Sequence, residues 1–357
     1  MQLTSKVQHV ERKKIAKELI LFLRHEIDSV LRPLLLPFIG KPVALIEFPD
    51  HSNVGDSAIW LGTRKYLSEI SLEVTYSCST SNYSKEVLAK KIKDGVILLR
   101  GGGYFGDLYL WAQKLFEAII TDFPSNKIIQ LPQSVCFQNI ENLKRTKNIF
   151  SNHSNLTLLL RDQKSFEFVR NEFSNPSFLC PDMALALGPL PRIGNPVSEI
   201  ESLLRSDIEA SGFKLPESYK DIKNIDWLKD DNTFDFWINR QISNFITEFP
   251  KRLSFLQAFH TKVYDQIASN RLHRGVRHLS QGKVVITDRL HAHILCLLLG
   301  IPHVVLDNNY GKIRSFYETW TKSCDIALWA NSLSEALEMA SSCVCAQEVY
   351  LNGSEQN

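Results

Sequence analysis

From position 42 onward, short apolar runs alternate with longer amphipathic stretches, and this alternation limits the possible folds more than any other feature of the sequence. The runs 43–48, 74–77, 95–99, 127–130, 156–160 and 178–179 read as strands. Helical patterns at 56–70, 84–93, 108–123, 139–148 and 165–171 separate them. Strands spaced by helices cannot be joined as hairpins. They predict parallel sheets covered on both faces, with functional groups gathered beyond the carboxyl ends of the strands.

The pattern lapses at 188–199, where Gly188, Pro189, Pro191, Gly194 and Pro196 mark a linker, and a second unit begins at about 201. Residues 213–282 are polar and aromatic, with helical stretches at 236–249 and 252–270. Strand-like runs then return at 284–287, 303–306 and 326–329. The expected fold class is therefore α/β, with two Rossmann-like parallel-sheet domains, 42–190 and 200–345, facing a cleft. A helical extension, 1–41, precedes them and a tail, 346–357, follows.

Segment 6–36 is amphipathic and carries Lys6, Arg12, Lys13, Lys14, Lys17, Arg24 and Arg32. It reads either as a helix packed on its own chain or a partner, or as a peripheral membrane contact that would suit a lipid-linked substrate. The longest apolar stretches, 19–23 and 34–39, are too short to span a bilayer, and the polar start predicts no secretory leader. A formal net charge of +2 gives no whole-molecule field for nucleic acid, so any anion site must be local. The odd count of seven cysteines, several within apolar runs, predicts reduced thiols in a cytoplasmic compartment. Cys343 and Cys345 stand too close together for a zinc knuckle, and no metal is expected.

The polar chemistry lies at the strand ends. Asn53-Val54-Gly55-Asp56 follows the first strand, and Arg100-Gly101-Gly102-Gly103 follows the third. A run of glycines between strand and helix is either a tight turn or a place where backbone N–H groups approach an anion. Asp56 is either the cap of the next helix or a carboxylate that deprotonates an acceptor. His51 reads as a loop histidine in solvent. Arg161 and Arg289 each follow a strand directly, where a guanidinium either pairs with the adjacent Asp162 or Asp288 or grips a carboxylate or phosphate. His291 falls in the first turn of a helix, and Lys312 repeats the theme of a cation at a helix start, a placement that opposes the helix dipole and that a bound anion makes better sense of. His293 is on a different face from His291, which rules out a same-face zinc pair.

Taken in order, these segments resemble the polysaccharide pyruvyl transferase family from about 42 to about 320. The carriers are the Asn53–Asp56 and Arg100–Gly103 motifs, Leu131-Pro132-Gln133-Ser134, Arg161-Asp162-Gln163-Lys164-Ser165, Pro181-Asp182, Leu204-Arg205-Ser206-Asp207 and Thr287-Asp288-Arg289-Leu290-His291. Val135-Cys136-Phe137 stands where the family often has a glycine-containing turn, a departure that bears on acceptor fit. The resemblance implies an architecture similar to two-domain glycosyltransferases of the GT-B type. It implies transfer of pyruvyl from phosphoenolpyruvate to a sugar, usually as a cyclic ketal, with phosphoenolpyruvate as donor substrate and no cofactor. Carried over, it assigns Arg289, His291 and Arg161 to the phosphoenolpyruvate site. In that scheme His291 donates a proton or binds phosphate, and Asp56 is the acceptor base. Lys312 helps to hold the anionic groups, Gly102 and Gly103 offer backbone donors, and Asn53 and Gln133 bind substrate. Arg205 is a further ligand or a partner of Asp207. The rival reading is a glycosyltransferase of the same architecture whose C-terminal turns hold a nucleotide-sugar diphosphate. A carbohydrate-binding protein without activity is disfavoured, because the arginine and histidine set is intact.

Overall fold

The first apolar run, Val43–Ile46 (β1), is buried along its whole length and pairs in parallel with Val74–Cys78 (β2) on one side and Val96–Leu99 (β3) on the other. These pairings come from a computed structural model that describes residues 14–205, 210–219, 222, 224, 227, 241 and 257–354. Beyond β3 the sheet continues through Lys127–Cys136 (β5), Leu156–Leu160 (β6) and Ser177–Leu179 (β7). Gly102–Gly106 (β4) pairs with the far half of β5. The chain leaves β1 toward β2 and then crosses back over β1 to reach β3. Strand order therefore reverses between β1 and β3, and in open parallel sheets ligands bind beyond the carboxyl ends of the strands at such a point. Helices Val54–Glu69 (α2), Lys85–Ile92 (α3), Leu110–Asp122 (α4), Ile140–Ser151 (α5) and Gln163–Glu172 (α6) connect the strands.

A second, smaller sheet runs Ala327–Trp329 (β11), His303–Val305 (β10), Gly282–Thr287 (β9), Ser198–Leu203 (β8), all parallel. Helices Leu290–Leu299 and Leu333–Ser354 flank it, whereas Gln257–Leu279 packs mainly on α2 and β2 of the first unit, with Asp265 bonded to Trp60 and Arg64 and Thr261 to Ser77. The α/β class with two parallel sheets is thus what the sequence predicts.

Several details differ. Gly102 and Gly103 lie in β4, not in a turn at a helix N-terminus, and α4 starts only at Leu110. β5 does not stop at 130 but runs on to Cys136. Pro132 sits where its register against β6 shifts, the position in a sheet that best tolerates a missing N–H. The Pro/Gly linker is laid against the protein. Leu190 N–H donates to Leu298 O and Ile193 N–H to Ser280 Oγ, and β8 already begins at Ser198. Helix Leu333–Ser354 continues through the position where a tail was expected. The helical stretch at 236–249 and the first part of 252–270 lie outside the described residues except for position 241, as does the start of the N-terminal amphipathic segment.

The described part of that segment is helix Ala16–Leu35 (α1). Its apolar stripe, Leu19, Leu23, Ile27, Leu31 and Leu35, is buried inside the protein. One continuous apolar core takes in this stripe, β1 and α2 of the first sheet, and helix Leu290–Leu299 with β9 of the second. Polar ties fix α1 at its start and in its middle. Lys14 pairs through its backbone with residues 323–325, while Arg24 bonds Glu69 and Asp28 accepts from Tyr66. Of the two readings of this segment, its apolar stripe follows the first, packing on its own chain. No helix among the described residues is long and apolar enough to cross a membrane.

Candidate active site

Beyond the carboxyl end of β1 the chain turns sharply at Glu47, whose φ of 71° is unusual for a residue with a side chain. Its carboxylate accepts from Arg100 Nε at 2.6 Å, and Arg100 Nη1 donates to Asp56 Oδ1 at 2.9 Å. Arg100 is fully buried at the end of β3, so this triad stitches together the two strands that flank the reversal point. Asn53 caps α2 by accepting from Gly55 N–H, and its amide donates to Asp56 Oδ2. Tyr104 O–H donates to the same Asp56 oxygen at 3.2 Å. Burial alone would raise the Asp56 pKa, but the charges of Arg100, His51 and His291 outweigh it and hold the value down to about 2. Such a carboxylate, with both oxygens committed, is suited to anchoring and orienting. The geometry does not favour the expected role of proton acceptor.

Across the sheet, the end of β6 delivers Arg161. Its Nε donates to Ser134 Oγ at 2.9 Å and its Nη1 to Asp182 Oδ2 at 2.7 Å. Ser134 in turn donates to Asp162, which caps α6. Asp182 Oδ2 also lies 3.6 Å from His291 Nε2, so one carboxylate stands between the arginine of the first sheet and the histidine of the second. Burial pushes the Asp182 pKa up, but His291 and Arg161 more than offset that and keep it below the usual carboxylate range. The second unit closes over this strand end. Trp320 Nε1 donates to Arg161 O, and Ser315 Oγ donates to Asp162.

His291 comes from the first turn of helix Leu290–Leu299 and packs directly on Gly55. A Cβ on Gly55 would overlap the imidazole, so this close approach requires the glycine of the Asn-Val-Gly-Asp motif. His293 points the other way, into the core, bonded to His303 and Thr321.

Between these walls lies a cavity of about 290 Å³. Asn53, Asp56, Gly103, Arg161, Arg205, Arg289, His291 and Lys312 all line it, so most of the residues predicted from sequence meet in one place. A Cβ built on Gly103 would stand 3.6 Å from both Arg161 Nη2 and Lys312 Nζ, which shows two cations converging in front of that glycine. Lys312 is nearly buried, with its ammonium 5.6 Å from the centre of the Tyr310 ring. Arg289 stands at the residue before its helix and is buried, with its backbone N–H bonded to Thr287 Oγ1. Arg205 donates its backbone N–H to Asp288, and its alternative partner Asp207 lies outside the described residues.

Two predicted residues do not reach the pocket. Gln133 is fully buried and spends its amide on Arg100 O and Tyr104 N–H, which fixes β4 against β3. Gly102 faces Arg100, Ile59 and Asp56. The departure at Val135-Cys136-Phe137 also lies away from the pocket. Val135 and Cys136 pair with β4, and Phe137 packs on Phe105 and Phe168.

Other pocket features went unforeseen. His51 lines the cavity, and Tyr104, Tyr109 and Trp111 form an aromatic wall, with Tyr104 5.1 Å from Tyr109 and 5.6 Å from Trp111 between ring centres. The only sequence signal for these residues was their position after strand ends. The pocket therefore pairs a cationic side with an aromatic one, an arrangement able to hold a compact multiply charged anion beside a neutral ring.

Comparison with known proteins shows the family. The sequence profile described as polysaccharide pyruvyl transferase matches residues 53–310, which includes the pocket residues from Asn53 to Asn308. Pyruvyl transferase 1 of Schizosaccharomyces pombe is 34% identical over 323 residues, covering 84% of this chain and 75% of that protein. EpsO of Bacillus subtilis, itself a proposed pyruvyl transferase, is 31% identical, covering 83% of this chain and 92% of its own length. A functionally uncharacterised protein of Klebsiella pneumoniae superposes with a TM-score of 0.56 at 18% identity, over 86% of this chain and 99% of that one, a likeness of fold alone.

Proposed function

The chain belongs to the polysaccharide pyruvyl transferase family, and on that premise we propose that it moves the pyruvyl group of phosphoenolpyruvate onto a sugar as a cyclic ketal, releasing phosphate. The observation that carries this reading is the convergence of Arg161 and Lys312 in front of Gly103, in a pocket also lined by Arg205, Arg289 and His291. Phosphoenolpyruvate bears a carboxylate and a phosphate close together, and neutralising both requires several donors aimed at one small volume. The aromatic wall of Tyr104, Tyr109 and Trp111 suits the apolar face of a sugar ring on the opposite side. The two-sheet arrangement is read as the GT-B type.

Protonation of the methylene carbon gives an oxocarbenium-like centre at C2. One sugar hydroxyl adds there, phosphate leaves with the C2–O electron pair, and a second hydroxyl closes the ring. His291 is placed to give the first proton or to meet the departing phosphate, with Asp182 holding it. Arg161, Arg289 and Lys312 hold the two anionic groups. A lipid-linked acceptor, reached from a membrane surface in the cytoplasm, remains part of the proposal.

The test is phosphate release from phosphoenolpyruvate with a panel of glycan acceptors, the product being read by mass spectrometry, against the same panel supplied with nucleotide sugars. Phosphoenolpyruvate-dependent transfer is expected. Transfer from a nucleotide sugar instead would establish the glycosyltransferase reading. His291→Ala should lower kcat by about 10²–10⁴-fold with the fold retained. Arg289→Lys should raise KM for phosphoenolpyruvate by roughly ten-fold or more, because a point charge cannot replace a forked grip.

A further inference from the structure

We propose that His51 is the general base that deprotonates the acceptor hydroxyl, and that Tyr104 and Asp56 set its tautomer; the assignment rests on the pyruvyl-transfer reading above. His51 follows β1 at the reversal point of the sheet and lines the same cavity as His291. Its Nε2 lies 3.0 Å from Tyr104 Oη, and Tyr104 O–H is itself 3.2 Å from Asp56 Oδ2.

The direction of this chain of hydrogen bonds follows from the charge at its end. Asp56 is bonded to Arg100 and Asn53 and is held as a carboxylate, so it can only accept. Tyr104 must therefore donate its proton to Asp56, and its oxygen is left to accept from His51. That places the imidazole proton on Nε2 and the lone pair on Nδ1, which has no hydrogen-bond partner among the described residues. The neutral ring thus leaves Nδ1 as its basic nitrogen, on a residue that lines a pocket whose aromatic side suits a sugar. Asp56 Oδ2, 3.7 Å from Nε2, stands ready to stabilise the imidazolium that forms.

The charged neighbours act in both directions. Burial lowers the His51 pKa below 6.5, Arg100 and Arg271 lower it further, and Asp56 and Asp50 oppose them. The ring is therefore unprotonated at neutral pH, as a base must be.

The step balances. As the acceptor oxygen bonds to C2, its proton passes to Nδ1 and the C2–O bond to phosphate breaks with its electrons on phosphate. The imidazolium returns that proton to the leaving phosphate, which resets the base for the second hydroxyl. The second hydroxyl proton replaces, through solvent, the one given to the methylene carbon.

The experiment measures kcat and kcat/KM against pH for the full chain, His51→Gln and Tyr104→Phe, with phosphoenolpyruvate affinity followed in parallel by calorimetry. The wild-type profile should fall on its acid side with a midpoint below 6.5. His51→Gln should bind phosphoenolpyruvate within a few-fold of wild type, lose about 10²–10⁴-fold in kcat, and lose the acid limb. Tyr104→Phe keeps the ring but breaks the relay. It should lower kcat less and shift the limb to lower pH, because the imidazolium loses its link to Asp56. Should His51→Gln fail to fold, the Tyr104→Phe shift decides alone. A wild-type rate in His51→Gln, a slowed variant with an unaltered acid limb, or an unmoved limb in Tyr104→Phe overturns the assignment. A wild-type protein that binds phosphoenolpyruvate yet transfers nothing to any acceptor overturns the underlying reading, and the assignment with it. Transfer that survives while His51 proves dispensable removes the assignment alone.

Discussion

Asp182 shares one carboxylate between Arg161 and His291 and caps the following turn through Ala184 N–H. Removing its charge leaves a buried guanidinium short of a partner, a loss of about 3–5 kcal/mol when one side of a buried pair is deleted. Asp182→Asn should therefore lower the urea midpoint at neutral pH. Its folded pKa is depressed, so the carboxylate stabilises above the usual 3.8 and that contribution fades as pH falls through the folded value. The gap between wild type and variant should hold from pH 7 to about 4 and close only in stronger acid. Asp288 offers the opposite sign. Burial raises it from 3.8 to about 6, so its ionisation opposes folding, and its contribution is lost as pH rises between those values. Asp288→Asn keeps an oxygen for the Arg205 N–H. Relative to wild type, it should be more stable at pH 8 than at pH 4 by up to about 3 kcal/mol. An equal difference at both pH values would contradict this.

At the level of elements, two glycines separate packing from pocket. Alanine within a helix normally stabilises, but at Gly55 the added methyl meets the His291 ring. Gly55→Ala should displace that ring and abolish turnover while α2 persists in circular dichroism. Gly103→Ala meets nothing closer than 3.6 Å, so it should fold normally and raise KM for phosphoenolpyruvate by narrowing the space before Arg161 and Lys312. Loss of folding in the second variant, or full activity in the first, would contradict the assignment of these roles. The central strands were legible because a strand buried on both faces must be apolar throughout, as β1 and β3 are. β4 was not, since Gly-Gly-Tyr-Phe-Gly carries turn composition, and its place beside β5 is held by contacts distant in sequence, such as Gln133 to Tyr104 N–H and Gln113 to Gly106 N–H. Arginines and histidines at strand ends were legible as chemistry, and the pocket gathers Arg161, Arg289 and His291. What each side chain bonds to was not legible. Asp56 reads from sequence as either a cap or a base, and only the fold shows Arg100 and Asn53 bonded to it; His51 reads as a loop histidine in solvent, and its side chain, 36% exposed, has Tyr104 and Asp56 beside it. Such pairings join residues distant in sequence, and no local pattern encodes them.

At the scale of the whole molecule, the stripe of α1 belongs to the same apolar core as both sheets. Leu23 is fully buried there, and Leu23→Ala should cost about 2–5 kcal/mol. Probes on the two sheets should then melt together at a lower temperature. Two separate transitions would mean that the halves are thermodynamically independent. The start of α1 is tied to residues 323–325 and its middle, through Arg24, to Glu69 of the other half, and the proline-rich connection is fastened down as well. Among the described residues, α1 thus adds a second link between the two halves beside the chain connection itself. With that bracing, selectivity is expected to reside in the pocket's resting shape, in the room that Gly103 leaves and the tyrosines and Trp111 deny.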